Sequence, residues 1–156
     1  MKSVLLAASM LTLALSALAQ NGGKSEIFAS PQVRAQLQDL AAKAKDNGSS
    51  GATLAADGNY KVMFSVRTTS GGAEIHAHYD DVMIVQEGSA TLITGGTVVN
   101  LKTGADGETK GTGIEGGTSR VISQGDIVTV NAGTPHQILI TTGTTYSALV
   151  IKVKEP

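Results

Sequence analysis

Cysteine is absent from the 156 residues, which excludes a disulfide framework, a thiolate metal site and a lipid anchor on a cysteine. Tryptophan is absent too, and phenylalanine occurs only twice, so the core must be built from aliphatics. No block of like charge is present: 12 basic residues stand against 13 acidic ones. With so few aromatics, that balance excludes a nucleic-acid-binding surface and an anionic membrane as partner. What the chain has in quantity is glycine, 19 residues. Glycine marks frequent tight turns, which a mainly antiparallel β fold accommodates. The length sets an expectation of one domain.

The N-terminus has a different character. Lys2 is followed by an almost continuous apolar run from Val4 to Leu18, about 15 residues against the roughly 20 that a spanning helix needs. Ala17-Leu18-Ala19 fits a small-x-small cleavage site. Residues 1–19 are therefore expected to be a signal peptide, with Gln20 first in the mature chain, a periplasmic or secreted location and no membrane attachment after cleavage. The lack of cysteine fits an oxidising compartment.

Residues 20–51 are expected to hold one helix and a linker. Ser30-Pro31 suits a hydroxyl N-cap with proline at the first helical position. Val33, Leu37, Leu40, Ala41 and Ala44 then form one apolar stripe, so the short helix is amphipathic and packs on the outside of the domain or on a neighbouring subunit. Asn47 to Gly51 reads as the linker. From residue 52 to 156 the text turns to strands rich in Val, Ile and Thr: Tyr60–Thr68, Ala73–His78, Val82–Glu87, Ala90–Thr94, Thr97–Lys102, Ser119–Ser123, Asp126–Val130, His136–Ile140 and Thr145–Lys154. About nine short strands at close spacing suggest a barrel or two-sheet sandwich. Gly104 to Gly117 reads as a surface loop.

Three histidines are present. His76 and His78 are one residue apart in an expected strand, so both would project to one face with α-carbons about 6.6 Å apart. His136 follows Asn131-Ala132-Gly133-Thr134-Pro135, a turn that would fix its direction. Three imidazoles, with or without a carboxylate, suit iron, manganese, nickel, zinc or copper.

The text around these histidines resembles the two motifs of the cupin superfamily. Gly71-Gly72-Ala73-Glu74-Ile75-His76-Ala77-His78-Tyr79-Asp80-Asp81 followed by Val82 to Gly88 is similar to G-x5-H-x-H-x3,4-E-x6-G. Gly125 to His136 is similar to G-x5-P-x-G-x2-H. The motifs come in order and place all three histidines at histidine positions, and the resemblance covers roughly residues 60 to 153. The resemblance implies an all-β double-stranded β-helix, a cupin jelly-roll barrel, with one divalent metal inside. It implies His76, His78 and His136 as ligands. The motif glutamate is missing. Counting back seven residues from Gly88 gives Asp81 as fourth ligand, with Asp80 as alternative and a three-histidine site as the remaining case. Asn131 and Ile140 also depart from the second motif, at positions that do not ligate.

By alternation Glu74 shares the face of His76, where it would serve as acid or base or orient a histidine, unless the pleat breaks after Gly72 and leaves it at the rim. Met83, Val85, Ile138 and Ile140 should line an apolar pocket. Lys61, Arg67 and Arg120 are the strand cations and do not cluster in the sequence. The expected function is that of a metalloenzyme, a dioxygenase or isomerase acting on a small organic molecule, with the oxygenase type preferred. The alternative is a non-catalytic periplasmic protein that binds a metal or ligand. The aliphatic strands and amphipathic helix lead to the expectation of a homodimer.

Overall fold

The computed structural model describes residues 25–156; the expected signal peptide lies outside them. The chain forms helix α1 (Ser30–Asn47), then strands β1 (Ser49–Ala56), β2 (Tyr60–Arg67), β3 (Ala73–His76), β4 (Tyr79–Glu87), β5 (Ser89–Thr94), β6 (Thr97–Val99), β7 (Lys102–Thr103), β8 (Glu108–Gly111), β9 (Gly113–Glu115), β10 (Thr118–Ser123), β11 (Ile127–Val130), β12 (His136–Leu139) and β13 (Tyr146–Lys154). Two antiparallel sheets, β1-β2-β13-β4-β11 and β10-β5-β12-β3-β8-β7, face each other, and β6 pairs with β9 beside them. No described helix is long and apolar enough to cross a membrane.

Alternation along each strand divides the side chains between two apolar clusters. Met83, Val85, Ala90, Leu92, Ile122, Val130, Tyr146, Ala148 and Val150 fill the space between the sheets. On the other face of β2, Phe64 and Val66 pack under Leu40 and Ala44 of α1. The helix thus lies on the outside of the barrel. Two hydroxyls tie the helix to the sheet it covers: Thr68 Oγ1 donates to the Ala44 carbonyl at 2.7 Å and Ser50 Oγ to that of Leu40 at 2.6 Å.

Three elements differ from the sequence-based expectation. The N-cap is Ala29, with Ser30 already helical and no side-chain cap. The linker is one residue long, since Gly48 closes α1 in the left-handed conformation and β1 starts at Ser49, inside the stretch assigned to the linker. The expected loop from Gly104 to Gly117 contains β8 and β9. At Gly88 the motif glycine is a steric requirement: φ is 74°, and a Cβ would lie 2.0 Å from the Thr145 carbonyl oxygen.

Candidate metal centre

Adjacent strands of one sheet aim two histidines inward. His136 opens β12 directly opposite Glu74 of β3, and His76 is two residues beyond Glu74 on the same face. Both imidazoles are buried, with ring centroids 5.0 Å apart. Each ring has its Nδ1 engaged. That of His76 meets the Glu108 carboxylate of β8, and that of His136 donates to the Thr134 carbonyl at 3.1 Å. These contacts leave both Nε2 atoms facing inward, and Nε2 of His76 has no hydrogen-bond partner.

Two carboxylates converge there from different sheets. Donor atoms of Glu74, His76 and His136 all lie within 4.8 Å of one another. From β4, Asp81 Oδ2 lies 3.4 Å from His76 Nε2 and 3.8 Å from His136 Nε2, while its Oδ1 accepts a hydrogen bond from Lys152 Nζ at 2.8 Å. A tetrahedral ion with bonds of about 2.0–2.1 Å sets its donors about 3.4 Å apart. Inward Nε2 atoms, that of His76 buried and without a hydrogen-bond partner, on rings each fixed through Nδ1, are what a metal-ligating histidine pair requires. The donor set fits a divalent ion.

Burial is the largest influence on all three titrating groups, and only for His136 does it prevail, pushing the pKa below the usual histidine value. In His76 it is outweighed, chiefly by the neighbouring Asp81 carboxylate, and the pKa is raised. Asp81 is likewise buried, yet His76 and Lys152 hold its carboxyl below the usual range.

The sequence-predicted residues divide as follows. Glu74, His76, Asp81 and His136 come together. Asp80 points elsewhere, accepting the Ala132 backbone N–H at 2.7 Å. The expectation that His78 shares the face of His76 does not hold. Strand β3 ends at His76, and the chain bends through Ala77 and His78 to cross from one sheet to the other before β4 begins. Alternation stops at that bend, and His78 is exposed. Glu108 was missed altogether: β8 lies within the glycine-rich stretch, and its order comes from pairing with β3, His76 opposite Glu108.

The donors line a cavity of about 280 Å³ whose apolar wall includes Met63, Met83, Ile138, Ala148 and Val150. From β2, the alternate residues Lys61, Met63, Ser65 and Arg67 line the cavity. Lys110 and Lys152 join them, so four cations surround the cavity. Of the three cations expected to stand apart, only Arg120 does, lining a separate hollow beside Val121 and Ile127.

No known family's sequence profile matches the chain, and no curated protein matches it. Solved structures do match. The protein BH2720 from Bacillus halodurans superposes with a TM-score of 0.56 at 17% identity, over 87% of this chain and 86% of that one. A cupin-2 domain protein, Rru_A2000 from Rhodospirillum rubrum, gives 0.51 at 12% identity, over 69% and 61%. The DMSP lyase DddQ from Ruegeria pomeroyi gives 0.50 at 16% identity, over 69% of this chain and 48% of that one, so the chain spans about half of the lyase. Two facing antiparallel sheets with inward histidines on adjacent strands, and these neighbours, make the fold that of the cupin superfamily.

Proposed function

We propose that the chain is an exported, metal-dependent enzyme of the oxygenase type acting on a small organic molecule. The observation that carries this reading is the pair of inward Nε2 atoms flanked by Glu74 and Asp81 at one cavity wall. One divalent ion would be held by Glu74, His76 and His136, with Asp81 as the further carboxylate. Such an ion supplies Lewis-acid or redox chemistry at a position open to the cavity. The chain's own residues do the rest. Glu108 and the Thr134 carbonyl keep both Nδ1 atoms occupied, so that Nε2 faces the ion. Lys152 holds Asp81 by its outer oxygen and keeps it ionised. The apolar wall excludes bulk water and suits dioxygen. Glu74 is half-buried, close enough to the donors to ligate and exposed enough to exchange a proton with a bound substrate. That DddQ is a lyase supports catalysis on this barrel by analogy only.

The test is to load the protein with iron(II) and add nitric oxide as a dioxygen surrogate. A new paramagnetic signal, perturbed by a small chelating enol and absent in His136→Ala, is the expected result. Stoichiometric iron uptake without that signal would refute the oxygenase reading. For export, the expected result is a periplasmic or secreted chain beginning at Gln20, and full-length chain retained in the membrane would refute it. Association as a homodimer would cover Val121 and Ile127, 72% and 69% exposed on the edge strands β10 and β11. A monomer mass by light scattering at micromolar concentration would refute that.

A further inference from the structure

Beyond the metal donors, the cavity has an unspent polar pair. Arg67 of β2 and Tyr146 of β13 are direct cross-strand partners, and both line the cavity. Tyr146 is 2% exposed, yet its hydroxyl has no hydrogen-bond partner. A buried hydroxyl left unpaired weakens the fold unless something supplies an acceptor. Arg67 is half-buried, and no carboxylate lies within ion-pair distance of it among the described residues. Its guanidinium rests on Gly71, where a Cβ would come 2.7 Å from Nη1 and 3.0 Å from Cζ. The absent side chain leaves the guanidinium its place.

The charge around the cavity points the same way. Lys61, Arg67, Lys110 and Lys152 face Glu74, Asp81 and Glu108, a surplus of one positive charge that a divalent ion raises to three. The whole chain has a formal net charge of -1. A cavity positive inside a slightly negative protein concentrates anions. Asp81 is taken by Lys152 and Glu108 by His76, so neither carboxylate neutralises Arg67.

We propose that Arg67 and Tyr146 form a carboxylate subsite, and that the molecule engaging the metal centre is a small organic acid whose carboxylate this subsite holds. The planar guanidinium offers two parallel N–H groups to a carboxylate, and the phenol O–H adds a donor. Burial, the largest influence, pushes the phenol pKa up to about 12, so that proton is present at any physiological pH. The cavity, about 280 Å³, is near the lower end of small-molecule pockets, roughly 300–1,000 Å³, so the acid is small. The second half of the proposal rests on the metal-centre reading. The subsite does not, because neither residue belongs to the donor group.

The test is calorimetric titration with succinate and with its neutral diamide, at low ionic strength, on metal-loaded and metal-stripped protein. Elemental analysis measures metal content separately. Wild-type protein should bind succinate at least about tenfold more tightly than the diamide, the preference falling with added salt. Arg67→Met and Tyr146→Phe should each weaken succinate about tenfold with metal content unchanged, the scale of one charge-assisted hydrogen bond. Arg67→Lys should fall between, since it keeps the charge and loses the fork. Tyr146→Phe should leave thermal stability equal or higher, because an unpaired hydroxyl is removed. Equal binding of acid and diamide, or unchanged succinate affinity in Tyr146→Phe with reduced stability, would overturn the subsite. Should the protein take up no metal, the metal-centre reading fails, and the metal-stripped titration still decides on Arg67 and Tyr146.

Discussion

Removing the Glu108 carboxylate should weaken metal binding without touching a ligand. Glu108 is the partner of His76 Nδ1. It fixes the tautomer that leaves Nε2 as a lone-pair donor, holds the ring in the plane required, and raises its basicity. Loss of such a partner costs 10–100-fold in affinity. The Glu108 side chain is 31% exposed, so water can replace part of its effect, and the lower end applies. Glu108→Ala should therefore weaken zinc about tenfold, or about 1.4 kcal/mol. Glu108→Gln should lose less, since its amide oxygen still accepts from Nδ1–H. Competition against a chromophoric chelator at fixed pH measures the difference, with His76→Ala as the reference for loss of a ligand. If Glu108→Ala stays within twofold of wild type while His76→Ala abolishes uptake, the orientation of His76 does not depend on β8, and the reasoning fails.

Three further outcomes follow from the same geometry. In a metal titration, His136→Ala should lose most uptake, His78→Ala should match wild type because that ring is exposed beyond the end of β3, and Asp81→Ala should weaken binding more than Asp80→Ala. Uptake should decline with acid, since protons compete for Nε2; the pKa of His76 is raised above 6.5, so the decline should begin above pH 6.5, and uptake flat down to pH 5 would contradict it. At high pH, the phenol of Tyr146, raised to about 12, stays neutral in the folded state while it ionises near 10 when unfolded. Folding stability is therefore undiminished by this group below pH 10 and falls as pH rises toward 12, by about 2–3 kcal/mol in all. Denaturant midpoints of wild type and Tyr146→Phe should diverge over that window, and parallel curves would refute the shift.

Strands β2, β4, β5, β10 and β13 were legible because period-2 alternation survives in segments of six to nine residues. Strands β8 and β9 were not: with four and three residues they are too short to show a period, and tertiary pairing with β3 and β6 overrides their glycine content. Strand β1 was hidden for a similar reason, since Ser49, Ser50 and Gly51 read as linker chemistry while β2 supplies a full partner edge. At the site, His76, Asp81 and His136 could be named from the motifs and Glu74 from alternation, because each is on or beside a regular strand. His78 could not be placed, because alternation says nothing about where a strand ends. The cluster of cations was invisible for the opposite reason. Lys61 and Lys152 are 91 positions apart in sequence yet direct partners across β2 and β13, a register that composition does not encode.

The two carboxylates at the site bear on whether it can work as a catalyst. Asp81 is held rigidly: Oδ1 is tied to Lys152 at 2.8 Å, and Oδ2 faces both Nε2 atoms. Glu74 is looser, half-buried and 4.0 Å from His76 Nε2. If both ligate, four protein donors complete a tetrahedral zinc ion and close the site. The same four leave room on manganese, which takes six-coordinate sites. The expected result is that manganese-loaded protein accelerates the relaxation of water protons, showing exchangeable water on the ion, and that succinate suppresses the effect by displacing that water. Zinc should bind in competition with manganese at the same stoichiometry. Manganese bound stoichiometrically with no effect on water relaxation would mean that the protein fills every position. Catalysis would then have no place to occur, and a non-catalytic metal-binding protein would be the reading that the geometry supports.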